Sequence, residues 1–509
     1  SGEFLILLAI GLIVVYLIKN LFLIHMNNCI YRFNYDNQRM MAKKLLETYL
    51  KEPYIFFLNH NSAELVRNVK EDTNGLFDTM IAIMQLVAEV MVTVVLFAYL
   101  LYKDKTITII VGGVLIVFVY VIMRRIKSRI ELYGTNTRQS RAGINMWLLQ
   151  TFGGVKESMV MNRMDYFSDK VDEQYNRFVV NQKRYQIMSY IPKPLMESMC
   201  ICTVLLSIII KLMMGVSPDY FVSTVAVFAV AAFRLLPAFN RITGYLNRIS
   251  FGKPSMLAIY DDFKDIERHE IVKKSRGYKK LEFNDVIELK DVKFAYPNTD
   301  KNVIESANIT IPKNKSVAFI GPSGAGKTTM ADIILGLLYP LSGKVTVDGV
   351  NITDRIDDWR LNLGYIPQSI FLLDDTIRTN IAYGIEEDKL DEDKLTKAIE
   401  DAQLKEFIDS LEEGLDTIIG ENGVRLSGGQ RQRIGIARAL YSDPEVLILD
   451  EATSALDNDT EAAVMEAIEH LSGKKTLIII AHRLSTIRNC DIVYEVSDGT
   501  VKRRTDMQH

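Results

Sequence analysis

A glycine-rich stretch in the second half of the chain has the residue types that bind phosphate groups. Gly321, Gly326, Lys327 and Thr328 match the pattern G-x-x-x-x-G-K-[ST]. In this pattern backbone N–H groups surround the phosphates, the lysine reaches the β- and γ-phosphate oxygens, and the hydroxyl binds Mg²⁺. An apolar segment precedes the motif and a helical pattern follows it. The stretch therefore predicts a strand, a phosphate-binding loop and a helix that together hold a nucleoside triphosphate.

Two acidic residues follow another apolar segment further along the chain. Residues 446–449 read VLIL, and Asp450 and Glu451 come directly after them. We expect a buried strand that ends in two carboxylates, with Asp450 holding Mg²⁺ and Glu451 orienting or deprotonating a water molecule. Alone, Glu451 could equally be a solvated acid at a strand end. Beside a phosphate-binding loop, the pair indicates a hydrolytic centre.

Further motifs stand in a fixed order around these residues. They are Tyr296 in KFAYP, Gln368 in YIPQ, residues 426–430 (LSGGQ), Asp457 in SALD and His482 in IAHR. With this set, residues 290–500 resemble the ATP-binding cassette proteins. LSGGQ resembles the signature motif of that family. Its Ser-Gly-Gly at a helix start also suits phosphate binding, since free N–H groups and the positive end of the helix dipole lie there.

The resemblance implies how the cassette works. In that family two cassettes enclose two ATP molecules, and the signature motif of each faces the phosphate-binding loop of the other. This chain has one cassette, so the resemblance implies a homodimer of half-transporters with two identical composite sites. A heterodimer with a related half-transporter stays open. Tyr296 would stack on adenine, Gln368 would sense the γ-phosphate and couple to the membrane, and His482 would contact the γ-phosphate.

The predicted site residues fall into three sets. The catalytic set is Glu451, His482 and Gln368, and the Mg²⁺ set is Thr328, Gln368 and Asp450. The ATP-binding set is Tyr296, Gly321, Pro322, Ser323, Gly324, Ala325, Gly326, Lys327, Thr328, Thr329, Ser427, Gly428, Gly429, Gln430 and Asp457. ATP and Mg²⁺ are the expected cofactors.

The length and charge of the chain limit how many domains it has and which partners it can bind. The chain has 509 residues, which exceeds one ordinary domain several-fold and excludes a single small module. Lys and Arg number 60 against 63 Asp and Glu, for a net charge of −3. This balance leaves no overall basic field to hold a nucleic acid, so none is expected as a partner.

Long apolar runs divide the chain. Five runs have about the length that one helix needs to cross a bilayer, namely residues 4–27, 79–102, 106–123, 194–217 and 220–240. A large helical core is the alternative, but its buried helices would be shorter. We expect an all-α transmembrane domain over residues 1–250, a linker over 251–286 and an α/β cassette over 287–509.

Charge near the runs predicts the orientation. Arg124, Arg125, Lys127 and Arg129 follow the third run, and such basic clusters face the cytoplasm. The long polar stretches 28–78 and 124–190 then lie in the cytoplasm as helical extensions, with 54–60 and 153–159 as the segments expected to contact the cassettes. The protein is expected in the cytoplasmic (inner) membrane. This orientation places residue 4 outside the membrane, and the chain begins without Met, so one further span is expected before residue 1.

In this chain a transmembrane region precedes the cassette in the same polypeptide. This arrangement resembles exporters rather than importers. Residues 11–20 and 233–242 resemble bacterial flippases for the lipid-linked oligosaccharides of protein glycosylation. This resemblance implies a membrane lipid or lipid-linked glycan, with a pyrophosphate headgroup, as the substrate. An exporter of drugs, peptides or other lipids is the alternative. A channel or regulator gated by ATP is a further alternative, against which Glu451 and His482 argue.

A few basic residues lie inside or beside the apolar runs. Lys19, Lys193 and Arg234 fall near the depth of the inner leaflet, and Arg241 follows Arg234 by seven residues on the same helical face. We predict that these four line a cavity that accepts an anionic headgroup. Lysine and arginine reaching to the membrane surface are the alternative for each residue. Glu89 could neutralise one of these cations or face the dimer cavity.

Overall fold

The computed structural model describes residues 2–103, 105–213, 218–269, 279–297, 299, 301–451, 464–466, 468–481, 487 and 490–504. The chain divides into two compact units. The first comprises residues 1–52 and 56–271, and the second comprises 53–55 and 272–509. The short segment Pro53–Ile55 thus belongs to the second unit, where Ile55 packs against a cluster of buried apolar side chains.

Nearly all of the described part of the first unit is helical, with short turns between the helices. Its helices are α1 (Gly2–Tyr49), α2 (Tyr54–Asn59), α3 (Ser62–Arg67), α4 (Thr73–Lys103), α5 (Lys105–Gly153), α6 (Val155–Val160), α7 (Met164–Tyr190), α8 (Pro192–Met213) and α9 (Pro218–His269). The first two residues of α2, Tyr54 and Ile55, belong to the second unit. A π-helical turn, Asn68–Asp72, joins α3 to α4. The apolar runs of the sequence lie in α1, α4, α5, α8 and α9, apart from the part of 194–217 outside the described residues. At 52 residues, α9 is about 78 Å long and far exceeds a bilayer core of about 30 Å.

The apolar surface of the first unit suits a membrane. Within the described residues, two helical stretches, Gly2–Tyr49 and Ser62–Tyr102, are long and apolar enough to cross a bilayer. The first half of α1 exposes large apolar side chains on all sides, including Phe4 at 68%, Leu12 at 63% and Phe22 at 65%. Such a helix is stable against lipid or other apolar partners, and not against water.

Polar side chains that are wholly or partly buried join five elements of the first unit. The carboxylate of Asp72 accepts hydrogen bonds from Arg67 and Arg138, at 3.2 and 2.9 Å. Tyr49 and Asn68 donate to Asp262 at 2.6 and 2.8 Å. Burial raises the pKa of the Asp262 carboxyl above its ordinary value. These bonds tie α1, α3, the π-helical turn, α5 and α9 together. Removing one partner would leave a buried charge uncompensated.

The second unit is built on a sheet of ten strands in its described part. They are β1 (Val286–Phe294), β2 (Ile304–Pro312), β3 (Ser316–Ile320), β4 (Ser342–Val347), β5 (Val350–Asn351), β6 (Leu363–Ile366), β7 (Val446–Asp450), β8 (Thr476–Ile480), β9 (Ile492–Ser497) and β10 (Thr500–Arg504). The order is β5-β4-β1-β2-β10-β9-β3-β8-β7-β6. Strands β9, β3, β8, β7 and β6 run parallel, whereas β5, β4, β1 and β2 pair antiparallel.

Helices cover this sheet on both faces. They are α10 (Lys327–Ile334), α11 (Ile356–Arg360), α12 (Ile377–Ile381), α13 (Glu392–Asp401), α14 (Lys405–Asp409) and α15 (Gly428–Tyr441). One apolar core includes Phe319, Met330 and Trp359, and a second includes Ile434 and Leu447. Ligands of such folds bind where parallel strands end, and β3, β7 and β6 all end at the same edge.

Candidate functional site

The phosphate-binding loop requires glycine at two positions. The loop joins β3 to α10. Gly321 has φ of 145°, and a Cβ there would lie 2.1 Å from the carbonyl oxygen of Val496. Gly326 has φ of 101° and directly precedes α10. Because larger residues rarely adopt these conformations, the sequence pattern fixes a loop whose backbone can approach a phosphate closely.

The side chain of Lys327 folds back onto this loop. Its Nζ donates to the carbonyl oxygens of Gly321 and Pro322 at 3.0 and 2.9 Å. Burial lowers the pKa of Lys327, and the nearby charges of Glu451 and Asp450 counteract this shift. Phosphate oxygens can replace the two carbonyls as acceptors, so the ammonium is held ready for a nucleotide.

Two hard oxygen donors lie side by side next to the loop. The hydroxyl of Thr328 donates to Oδ1 of Asp450 at 3.4 Å. Asp450 is the last residue of the fully buried strand β7 and is 6% exposed. A hydroxyl and a carboxylate at this spacing fit Mg²⁺, which prefers oxygen ligands and retains several waters.

Glu451 and Gln368 meet at the same edge of the sheet. Gln368 follows β6 and Glu451 follows β7, and these strands are parallel neighbours. The amide Nε2 of Gln368 donates to Oε2 of Glu451 at 2.7 Å. Glu451 has φ of 49°, a conformation that favours glycine and that places its carboxylate at the strand end. The predicted catalytic carboxylate therefore has a defined orientation.

One cavity of about 670 Å³ collects these side chains. Its lining is Tyr296, Val303, Ser323, Gly324, Gly326, Lys327, Thr328, Thr329, Gln368 and Glu451. The hydroxyl of Tyr296 lies 3.1 Å from that of Thr329, and its ring packs edge-on against Phe294 at 5.1 Å. The volume falls within the range of small-molecule sites, and the lining includes the phosphate-binding residues Lys327 and Thr328.

The LSGGQ segment begins helix α15. Ser427 Oγ accepts from the backbone N–H of Gln430 at 3.2 Å, and Gln430 Oε1 accepts from the N–H of Ser427 at 2.8 Å. These two bonds form a capping box that fixes the helix start. Among the described residues lining the cavity, none belongs to 427–430. Asp457 and His482, which were also predicted to act here, lie outside the described residues.

Sequence reasoning missed Asp332, a buried acid on α10. Burial and the negative charge of Asp450 raise its pKa from 3.8 to about 6. The available signal was an acidic residue among apolar ones in TTMADIIL, five residues after Lys327. It escaped notice because a single acid on a helix is usually solvated.

The four basic residues predicted for a substrate cavity have different surroundings. Lys19 and Lys193 are exposed, and Nζ of Lys19 lies 4.7 Å from the ring centre of Tyr16. The side chain of Arg234 lies outside the described part of the structure. Arg241 donates to both carboxylate oxygens of Glu89, at 2.7 and 2.8 Å. Of the two roles considered for Glu89, neutralising a cation is the one observed.

Comparison with known proteins gives consistent matches. Residues 304–454 match the model of the ABC transporter family. An ATP-dependent lipid A-core flippase of Pasteurella multocida is 46% identical over 219 residues, which cover 43% of this chain and 38% of that protein. The flippase of the same name from Pectobacterium atrosepticum is 31% identical over 474 residues, covering 91% of this chain and 79% of that protein.

A solved structure extends the match to the fold. It is the structure of a bacterial Atm1-family ABC exporter with ATP bound, and it superimposes with a TM-score of 0.76 at 23% sequence identity. The superposition covers 92% of this chain and 82% of that one. The helical region followed by an α/β cassette, as expected from the sequence, is therefore the fold of an exporter.

Proposed function

Because this chain belongs to the ATP-binding cassette (ABC) exporters, which couple ATP hydrolysis to transport, we propose that it hydrolyses ATP to move a lipid-borne cargo across the cytoplasmic membrane. One observation carries the ATPase part of this proposal. Lys327, Gln368 and Glu451 converge on one cavity beside the Thr328–Asp450 pair. In this proposal residues 1–250 are the membrane region, 251–286 the linker and 287–509 the cassette.

The residues of this cavity supply the groups that ATP hydrolysis needs. Lys327 exchanges its two loop carbonyls for β- and γ-phosphate oxygens, and the loop N–H groups bind the same phosphates. Glu451 orients the attacking water and accepts its proton, while the amide of Gln368 holds the carboxylate in place. Thr328, Asp450 and Gln368 would hold Mg²⁺, which neutralises developing charge on the phosphates.

A second copy of the chain completes each site in this proposal. Ser427 and Gly428 are exposed at the start of α15, so the hydroxyl of Ser427, the N–H group of Gly428 and the positive end of the helix dipole are available to a γ-phosphate held by a partner. Two identical sites follow from two-fold symmetry. His482 and Asp457 of the same chain are proposed to join the site on the ground of the family motifs.

The proposed cargo is an anionic lipid-linked glycan. Relatives named as lipid A-core flippases favour a lipid cargo over a soluble one. Lys19 lies in α1 and Lys193 in the first turn of α8, and both side chains are exposed. Such charges are costly in lipid unless an anionic group or water accompanies them. Arg241 is neutralised by Glu89, so it would bind a headgroup only by exchanging that carboxylate. A pyrophosphate-linked oligosaccharide and a lipid A-type glycolipid both fit this chemistry.

ATPase stimulation in proteoliposomes tests the cargo. The chain is reconstituted with a pyrophosphate-linked oligosaccharide lipid, a lipid A-type glycolipid, or an uncharged amphipathic drug. We expect one of the two anionic lipids to raise ATP turnover several-fold, with Glu451→Gln as the inactive control. Equal stimulation by the drug would replace the lipid proposal with that of a multidrug exporter.

A further inference from the structure

Arg438 is fixed on three sides within helix α15. Its Nε donates to the carbonyl oxygen of Asn380 at 2.8 Å, and Nη1 donates to that of Phe371 at 2.7 Å. Its Nη2 donates to the side-chain Oδ1 of Asn380 at 3.1 Å. The ring of Tyr383 lies 4.6 Å from the guanidinium carbon. Each guanidinium nitrogen thus has an acceptor, and one face of the group is covered.

The acceptor Asn380 closes the segment 371–380 on itself. It is 0% exposed, and its Oδ1 also accepts from the backbone N–H of Leu373 at 2.9 Å. Its Nδ2 donates to the carbonyl oxygens of Leu373 and Thr376, both at 3.0 Å. Because Arg438 donates hydrogen bonds to both Phe371 and Asn380, it holds both ends of this segment against α15.

A second anchor lies one helical turn earlier. Gly435 precedes Arg438 by three residues, so the two share a face of α15. A Cβ at Gly435 would lie 2.3 Å from Cδ1 of Ile370. Ile370 follows Gln368 by two residues. The segment that follows Gln368 therefore packs against α15 at Gly435 and is hydrogen-bonded to the same helix at Arg438.

We propose that Arg438 is a positioning residue that makes α15 and residues 368–380, the Gln368 segment, move as one body. The LSGGQ residues begin α15 about 16 Å along the helix from Arg438. Movement of Ser427 towards a partner's γ-phosphate is then transmitted to Gln368, and hence to its hydrogen bond with Glu451. This inference rests on the proposed ATPase function. It adds that the clamp sets the geometry of the water-orienting carboxylate.

The test separates positioning from simple stability. Arg438→Lys keeps the charge, but one ammonium group cannot reproduce a planar fork that reaches three acceptors. In the reconstituted full-length chain we expect kcat to fall about 10- to 100-fold, because small misplacements of reacting groups have effects of this size. KM for ATP should stay within about twofold, since the cavity residues that bind ATP are unchanged.

Arg433→Lys is the matched control. Arg433 lies on the same helix, but it donates to the carbonyl oxygen of Gln403 at 2.9 Å and not to the Gln368 segment. It should retain kcat close to wild type. If both variants lower the thermal midpoint equally and leave kcat per folded molecule unchanged, Arg438 is only a structural anchor.

A double-mutant cycle with Gln368 measures the coupling between the two residues in kcat. A loss of folding stability alone would not change this coupling. If Arg438 acts through Gln368, adding Arg438→Lys to Gln368→Ala should lower kcat by less than about threefold. If the effects of Arg438→Lys and Gln368→Ala on kcat multiply, the two residues act independently and the proposal is wrong. Should Arg438→Lys fail to fold, Gly435→Ala replaces it: this change should lower kcat, and Ile370→Ala should restore it by removing the clash. No restoration contradicts the proposal.

ATP turnover of the wild type shows whether the proposed function or only the positioning role has failed. If wild-type ATP turnover does not exceed that of Glu451→Gln, the proposed function fails. If the wild type is active and Arg438→Lys is equally active, only the positioning role fails.

Discussion

Replacing Asp332 by Asn should stabilise the protein above pH 6 and change little near pH 4. Asp332 is 9% exposed on α10, and burial together with the charge of Asp450 raises its pKa from 3.8 to about 6. A difference of about two pKa units between folded and unfolded chains corresponds to about 3 kcal/mol. The folded protein therefore carries this cost once the buried carboxyl ionises.

The sign follows from proton binding. Between pH 3.8 and about 6 the folded chain keeps the proton of Asp332 while the unfolded chain has lost it. Stability from this group therefore falls as pH rises through that window and stays low above it. Asparagine has no charge to bury, so the stability difference between Asp332→Asn and wild type should grow by up to about 3 kcal/mol from pH 4 to pH 8.

Thermal unfolding of the full-length protein at several pH values measures this difference. For a unit of this size, about 3 kcal/mol corresponds to about 6–12 °C in the unfolding midpoint. Asp348→Asn is a control of opposite sign. Burial alone would raise the pKa of Asp348, but three backbone N–H groups bring it below its ordinary value. That variant should lose stability at neutral pH and recover it in acid. A pH-independent difference for Asp332→Asn would refute the reasoning.

Three further predictions concern nucleotide and cargo. Lys327→Ala should raise KM for ATP about 10- to 100-fold in steady-state assays, since a charge-assisted phosphate contact is lost; an unchanged KM would exclude that contact. Mixing Ser427→Arg chains with Lys327→Ala chains should restore about one quarter of wild-type turnover, because half of randomly formed dimers keep one intact composite site. No recovery despite crosslinked mixed dimers would contradict shared sites. Glu89→Gln should free Arg241 and tighten anionic lipid binding by about threefold or more, measured as the lipid concentration for half-maximal ATPase stimulation. An unchanged value would remove Arg241 from the cavity.

The local geometry of the nucleotide site could be predicted from the sequence. The glycine pattern determines the loop because Gly321 and Gly326 adopt conformations that other residues avoid. An apolar run followed by Asp450 and Glu451 predicts a buried strand with carboxylates at its end, and strand β7 has this form. These features depend on neighbouring residues along the chain, so their spacing alone carries the information.

Pairings between distant residues could not be predicted in the same way. The sequence allows Glu89 to neutralise a cation but does not single out Arg241, which is 152 residues away, because this contact depends on how α4 packs against α9. The Arg438–Asn380 clamp spans 58 residues and depends on a backbone carbonyl as well as a side chain. An acceptor of this kind has no residue type to recognise, so no spacing rule points to it.

Simultaneous measurement of ATP turnover and lipid flipping tests the central claim most directly. Proteoliposomes contain the full-length chain and a fluorescent pyrophosphate-linked glycolipid, and MgATP is added to wild type and to Glu451→Gln. We expect ATP-dependent loss of the lipid from the cassette-facing leaflet in wild type, and loss of both turnover and flipping in the variant. Continued ATP hydrolysis by Glu451→Gln, or wild-type hydrolysis with no movement of this or a lipid A-type lipid, would contradict this claim.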